Sequence, residues 1–364
     1  MANKLSRRAF VEGSAISAIS AAAAASLSFT SRNAWAAKDL SKYVAAPPPG
    51  FAPLHLPGKV VKVTKGNDFA SLMQPNQLWP RPEVARQMIE RALTELTGAP
   101  NAGEAMKKFV HPSDVVAVKV NGIAGQRGAT MAVNLELIQP VVEAILAAGV
   151  PADKITVFEQ YPSYLLGTRV VNNKFKSVLP AGVKTGFHGN QDAVMPEAPI
   201  FAQVKTRYVR FVTEATAVID MTMMKDHSIC GYTGALKNMT HGQIVNPQEH
   251  HATQCNPQIP TLYNHPILKG RVRLHLVDAY KIIYDGGPLD KNPERRVPHG
   301  AVYASTDPVA LDTVGWGVVD EARKAHGMRT LELSKREPKY IKTAAEVGLG
   351  VVDLNQIKLK SVAV

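Results

Sequence analysis

The chain has 364 residues, of which 45% are hydrophobic and 20% charged, and its formal net charge is +12. Its only cysteines, Cys230 and Cys255, exclude a disulfide-built scaffold, and two thiolates cannot supply the four ligands of an ordinary iron–sulfur cluster. No run of five or more basic residues accompanies the positive charge, so scattered solvated lysines account for it and nucleic acid is not an expected partner.

The amino terminus reads as an export signal. Ser6-Arg7-Arg8-Ala9-Phe10-Val11 carries a twin arginine, an Ala/Ser-rich apolar stretch follows from Ala15 to Phe29, and Ala34-Trp35-Ala36 supplies a small-x-small cleavage site. The apolar stretch is shorter than the roughly 20 residues that a membrane span needs. These features predict a signal peptide over residues 1–36 and passage of the folded chain through the twin-arginine translocase to the periplasm or another extracytoplasmic compartment. The mature chain would begin near Ala37, and no later apolar stretch is long enough to span a membrane. Export in the folded state favours a metal or organic cofactor inserted beforehand.

Residues 37–58, with Pro47-Pro48-Pro49-Gly50, read as an extended surface arm. The fold proper is expected over residues 59–364. Lys59 to Thr64 alternates as a strand, Pro82 to Leu96 has helical spacing, and Val115 to Val120 is a continuous apolar strand. A helix from Asn134 to Ala148 and a strand from Ile155 to Glu159 complete a β-α-β unit, which implies a parallel sheet. Further strands are expected at Ala217–Met221, Val272–Val277 and Ala301–Ala304. Helices are expected from Gly234 and from Pro308 to Ala325. The fold class is α/β, a mostly parallel sheet flanked by helices, forming one large domain or two closely packed lobes with a break within residues 167–199.

Ligands of open α/β sheets bind at the carboxyl ends of strands. Lys119 and Asn121 close one strand, Lys225, Asp226 and His227 follow another, and Asp278 and Asp307 follow two more. If those strands are neighbours, these groups share a pocket. Gly231, Thr233 and Gly234 lead into a helix carrying Lys237 and Asn238. Glycines admit a ligand close to backbone amides, a helix amino end is partly positive, and lysines neutralise an anion, so a small anionic ligand suits the spot. His227 titrates near neutral pH and a desolvated Lys225 can act as a base, with Asp226 orienting either, so these three are the candidate catalytic residues. Asp307 before Pro308 also fits a helix N-cap, the simpler role.

Six of the eleven histidines (His227, His241, His250, His251, His265 and His275) lie near both cysteines. Imidazole and thiolate are common transition-metal ligands, so a metal site drawn from His227, Cys230, His241, His250, His251 and Cys255 is expected, with His241, His250, His251 and Cys230 as the leading set. No spacing matches a named zinc motif, and the two cysteines can instead pair with each other.

Val118-Lys119-Val120-Asn121, Ile219 to His227, Gly231 to Asn238, Val277-Asp278 with Gly286-Gly287-Pro288, and Ala304 to Asp312 together resemble the domain of unknown function 362 family. The resemblance runs from about residue 110 to 325 and implies a fold and a site location rather than a reaction. Some relatives add a ferredoxin-like iron–sulfur domain, whose cysteines are missing here. The order of a Gly-rich turn, a helical lysine and a following histidine is also similar to that of nickel-pincer lactate racemases. That likeness implies Lys237 as anchor of an organic cofactor and His241, His250 or His251 among the nickel ligands. The expected function is that of an exported enzyme binding a small anionic substrate with a metal or metal-containing cofactor. The alternatives are a periplasmic metal-binding or redox accessory protein and a racemase or epimerase.

Overall fold

The computed structural model describes residues 40–66, 68–125, 130–201 and 204–364. The export signal expected over residues 1–36 lies outside them. Strands β1 (Lys59–Thr64), β2 (Val116–Lys119), β3 (Ile155–Glu159), β4 (Lys184–Phe187), β5 (Ala198–Phe201), β6 (Val204–Thr206), β7 (Ala217–His227), β8 (Gly231–Thr233), β9 (Val272–Ile283), β10 (Arg296–Ser305) and β11 (Lys358–Ala363) follow one another along the chain. Apart from the β5–β6 hairpin they form a nine-stranded sheet in the order β11-β1-β10-β9-β7-β2-β3-β4, with β8 paired to β7. Pairing is parallel across β9-β7-β2-β3-β4 and between β1 and β11, and antiparallel between β9 and β10, β10 and β1, and β7 and β8. The mostly parallel α/β architecture expected from the sequence is the one observed.

Helices cover both faces, which is why the central strands read as unbroken apolar runs. Side chains alternate across the sheet: Val118, Ile219 and Leu274 pack on one face with the helices Pro82–Thr97 and Leu135–Ala147. Val218, Met224 and Val277 pack on the other with the helices Ala235–His241, Gln258–Asn264 and Pro308–Ala325. Among the described residues no helix is long and apolar enough to cross a membrane.

Three strands outrun their sequence expectation: β10 begins at Arg296 rather than Ala301, and two others run on past their expected ends. β7 continues past Met221 to His227 and β9 past Val277 to Ile283, so Asp278 lies inside a strand rather than at its end. The stretch taken as a lobe break contributes β4, which pairs with β3 in the main sheet. The sheet-edge strand β11 carries Lys358 and Lys360, charges that discourage pairing with another chain.

Because β10 runs antiparallel to β9, the residues after its carboxyl end leave the edge where β2, β3 and β7 end. Asp307 therefore does not join the other strand-end residues. Its carboxylate caps the helix Pro308–Ala325 by accepting from the Ala310 amide at 2.8 Å, the N-cap role anticipated for it. It also accepts from the amides of Gly58 at 2.8 Å and Val351 at 3.0 Å, tying the amino-terminal arm and the carboxyl-terminal segment to the sheet. Asp307→Ala strips three amides of their acceptor at a buried site and should cost about 3 kcal/mol, a cap plus unsatisfied donors. Chemical denaturation should show a lower midpoint with an unchanged slope; a midpoint equal to wild type would contradict this role.

Candidate functional site

The carboxyl ends of β2, β3 and β7 lie side by side, and a cleft of about 240 Å³ opens over them. Lys119, Asn121, Glu159, His227, Thr233, Lys237, Asn238, His241 and His251 line it, together with Gln160, Tyr161, Tyr164 and Gln248. The fold thus brings Lys119, Asn121 and His227, which the sequence placed at strand ends, together with Thr233, Lys237 and Asn238 from the glycine turn and its helix.

A buried polar thread forms the floor. Lys225 donates to Asn121 Oδ1 at 2.7 Å, Asn121 Nδ2 donates to Asn238 Oδ1 at 3.1 Å, and Asn238 Nδ2 donates to Asp220 Oδ1 at 2.6 Å. Asp220 Oδ2 meets His275 Nδ1 at 2.7 Å, and His275 Nε2 meets the Tyr263 hydroxyl at 3.0 Å. Lys119 joins from β2, 3.3 Å from Asn238 Oδ1 and 3.2 Å from Glu159 Oε1. Each asparagine amide is engaged at both ends, so its orientation is set. Burial lowers the Lys225 amine to about 7, with Lys119 and Lys237 acting the same way and Glu159 opposing.

Above this floor stand groups with capacity to spare. Lys237 Nζ lies 3.2 Å from His251 Nε2 and has no carboxylate partner among the described residues. The buried Thr233 hydroxyl has no hydrogen-bond partner there. His227 Nδ1 accepts from the amides of Ile229 at 3.1 Å and Cys230 at 3.3 Å, which puts the proton of the neutral ring on Nε2. Burial first, and then Lys237, holds this imidazole far below its ordinary range. In the neutral ring this arrangement leaves the Nε2–H of His227 as a hydrogen-bond donor.

His241, His251 and Cys255 place one ligand atom each within 4.8 Å of one another, a group that could hold a metal ion. One nitrogen of each ring faces a backbone carbonyl: His251 Nδ1 lies 2.9 Å from Pro247 O and His241 Nε2 lies 3.2 Å from His250 O, while the others lie 3.2 Å from Lys237 Nζ and 3.2 Å from Thr240 Oγ1 respectively. Metal-ligating histidines commonly donate their other N–H in this way, which fixes the tautomer and orients the lone pair. A hydrogen bond from Cys230 holds the Cys255 thiol below its ordinary value, while burial pushes Cys230 up. The donor set of two imidazoles and one thiolate suits a borderline transition metal such as zinc, nickel or cobalt.

The structure departs from the sequence expectation at several residues. Cys255 takes the place in the metal group expected for Cys230. His250 is not a member either: its ring is buried with neither nitrogen partnered among the described residues, and it is its backbone carbonyl that faces His241. Asp226 lies off the cleft, because neighbouring residues of a strand point to opposite faces. Its carboxylate pairs with Arg336 at 2.7 Å and accepts from the Gly287 amide at 3.2 Å. Lys225 lies beneath the cleft and reaches it only through Asn121. Asp278 holds the backbone and side-chain nitrogens of Asn134 at 2.8 and 2.7 Å, where the helix Leu135–Ala147 begins.

The glycines prove to serve packing. Gly231 has φ +78°, and a Cβ there would lie 1.9 Å from the Arg336 carbonyl oxygen. A Cβ on Gly234 would lie 2.2 Å from Asp312 Oδ1. That gap lets Asp312 accept from the amides of Ala235 at 2.6 Å and Leu236 at 3.0 Å, so the helix end expected to cradle a ligand already holds a carboxylate of the protein. Glu159 was overlooked at the end of β3, although the strand-end rule that selected Lys119 applies to it equally. Asp312 and the Asp220–His275 pair gave no local signal, because their partners are distant in sequence.

The unfolded chain keeps the Lys225 proton up to about the ordinary 10.5, whereas the folded chain releases it near 7. This group therefore makes stability rise with pH across that window and lowers it below. An NMR titration of the lysine side chains should show one amine titrating near 7 that is missing in Lys225→Met, and the variant should show a smaller rise in stability between those pH values. An all-lysine titration near 10 would contradict the burial argument.

Comparison with known proteins follows the geometry. The structure of the lactate racemase apoprotein from Thermoanaerobacterium thermosaccharolyticum is 11% identical over 76% of this chain and 62% of that chain, with a TM-score of 0.34. The match thus spans less than two thirds of that protein. No curated protein matches the sequence. The family model described as "Domain of unknown function (DUF362)" matches residues 116–317, more than half of the chain, and takes in all the strands that carry the cleft. The chain belongs to the DUF362 family.

Proposed function

We propose that this protein is an exported enzyme acting on a small anionic substrate, with a metal ion or metal-containing cofactor beside the substrate. The observation that carries this reading is Lys237: a lysine without a carboxylate partner among the described residues, lining a small cleft beside an unpaired threonine hydroxyl and the His241–His251–Cys255 group. In this reading Lys237 pairs with a carboxylate or phosphate of the substrate, and Thr233 and the Nε2–H of His227 donate to its oxygens. Lys119, Asn121 and Asn238, held by the thread beneath, form a rigid polar floor, so little reorganisation is needed on binding. His241, His251 and Cys255 would hold the metal, which would supply Lewis-acid polarisation of a substrate oxygen. The twin-arginine sequence at Arg7 and Arg8 supports a location outside the cytoplasm, reached in the folded state through the translocase.

Two other readings have their own support. A non-catalytic metal-binding or redox accessory protein is favoured by the His241–His251–Cys255 group. A racemase or epimerase is favoured by the order Gly234, Lys237, His241 along the chain. Stoichiometric metal with no turnover of any carboxylate tested would select the accessory role, and interconversion of lactate enantiomers would select the racemase.

The test is direct. Calorimetric titration with small carboxylates and inorganic phosphate should show Lys237→Ala binding about 10–100-fold more weakly than wild type, the worth of one charge-assisted hydrogen bond. Circular dichroism should show its fold intact. Elemental analysis of protein purified from an export-competent host should find metal that is lost in His251→Ala and Cys255→Ala. Equal anion affinity in Lys237→Ala would remove the anion assignment, and metal-free wild type would remove the metal one.

A further inference from the structure

The cleft over β2, β3 and β7 is bounded by two walls of different chemistry. One comes from β7, β8 and the helix Ala235–His241 and carries His227, Thr233 and Lys237. The other follows β3 and carries Tyr161 and Tyr164, at the start of the helix Pro162–Gly167. Residues three apart at a helix start lie on one side, and here the two rings meet edge to face, their centroids 5.1 Å apart and their planes at 87°. Neither ring has a part in the anion or metal groups described above.

The tyrosine wall is set before a ligand arrives. Asn190 Nδ2 donates to the Tyr161 hydroxyl at 2.7 Å, and Gln160 Nε2 donates to Asn190 Oδ1 at 2.8 Å. The Asn190 amide donates to His188 Nδ1 at 3.0 Å, which leaves His188 Nε2 to donate to the carbonyl of Gly242, on the facing wall, at 3.2 Å. The wall is also uncharged: burial first, and then Glu159, pushes the Tyr164 phenol up to about 12. Ile229, in the turn between β7 and β8, lines the same cleft and is 44% exposed, so it adds apolar surface that a ligand body would cover.

Volume sorts the ligands that these two walls admit. The cleft measures about 240 Å³. A cavity of about 150 Å³ holds one benzene ring, so one six-membered ring with a short acid group fills this cleft. Acetate or inorganic phosphate would leave the tyrosines uncovered, and a nucleotide would stand outside a site smaller than the roughly 300 Å³ at which pockets for larger ligands begin. We propose that the anionic substrate carries an aromatic ring, with its carboxylate or phosphate at Lys237 and its ring packed on Tyr161 and Tyr164. This names the substrate class of the anion reading above and rests on it. In a T-shaped pair one ring turns its edge to the face of the other, so ring surface remains for a third ring to join the same packing, which adds to the area buried. Lys237 recognises the charge, and the neutral tyrosine wall selects the body that carries it.

Calorimetric titration of the protein, purified from an export-competent host, with matched probes provides the test: acetate against benzoate, and inorganic phosphate against phenyl phosphate. The ring-bearing member of each pair should bind about 10-fold more tightly. Cyclohexanecarboxylate, of similar size but without an aromatic face, should bind more weakly than benzoate. Tyr164→Ala should remove the advantage of the ring and Tyr164→Phe should keep it, with circular dichroism reporting the fold of both. Tyr164→Leu, which keeps apolar bulk, should repeat the loss if alanine destabilises the helix. Lys237→Ala should weaken both members of a pair alike. Equal binding within the pairs overturns the ring proposal and leaves the anion reading standing, as does cyclohexanecarboxylate bound as tightly as benzoate. A ring advantage that survives both Tyr164→Ala and Tyr164→Leu overturns the assignment of the tyrosine wall. Absence of binding by every probe overturns both the ring proposal and the anion reading.

Discussion

The Asn238 side chain is the joint on which the site turns. It comes from the helix Ala235–His241, yet its amide bonds Asn121 and Lys119 at the end of β2 and Asp220 inside β7, with His275 of β9 one step further. Three parallel strands and one helix are thereby locked in a single register by polar contacts inside an apolar setting. A buried polar group left unpaired costs far more than a paired one gains, so the thread tolerates one arrangement only. The cleft inherits that rigidity, because Lys119, Asn121 and Asn238 are both members of the thread and part of the cleft wall.

The placement of charge follows from the same constraint. Acidic partners are spent where they brace the fold: Glu159 on Lys119, Asp226 on Arg336, Asp312 on the amino end of the helix Ala235–His241, Asp307 on the two chain ends. Lys237 is left out of these pairings, next to imidazoles that burial keeps neutral: His251 is lowered to about 4, and His227 and His241 are pushed down as well. The net field of the cleft is therefore positive even though carboxylates surround it. Such a field draws anions and disfavours cations.

How much of this was legible in the sequence differs from residue to residue. Lys119, Asn121, His227, Thr233, Lys237 and Asn238 were found because strand ends and glycine turns leave a local trace, and the strands themselves follow from continuous apolar runs. Asp226 and His227 are adjacent in the chain and diverge in space, since a strand that was expected to stop at Met221 runs on to His227 and its alternation sends them to opposite faces. Gly234 reads in the sequence as an opening for a ligand, whereas the space is filled by Asp312, a residue 78 positions later in the chain. The exchange of Cys230 for Cys255 in the metal group has a similar origin. Proximity in sequence favoured Cys230, whereas a run of left-handed residues turns Cys255 toward His241 and His251.

The sequence by itself determined the fold class, six of the eleven strands, the main helices and the region that carries chemistry, because hydrophobic periodicity and turn composition are local and each element expresses its own. Only the tertiary structure decided which polar groups face the cleft and which brace the protein. That choice depends on strand direction and on partners far away in the chain: the antiparallel run of β10 removes Asp307 from the cleft edge, and Asp312 and Arg336 claim the helix end and Asp226. A carboxylate or lysine has the same spelling in either role, and what separates the roles is whether folding brings it a partner.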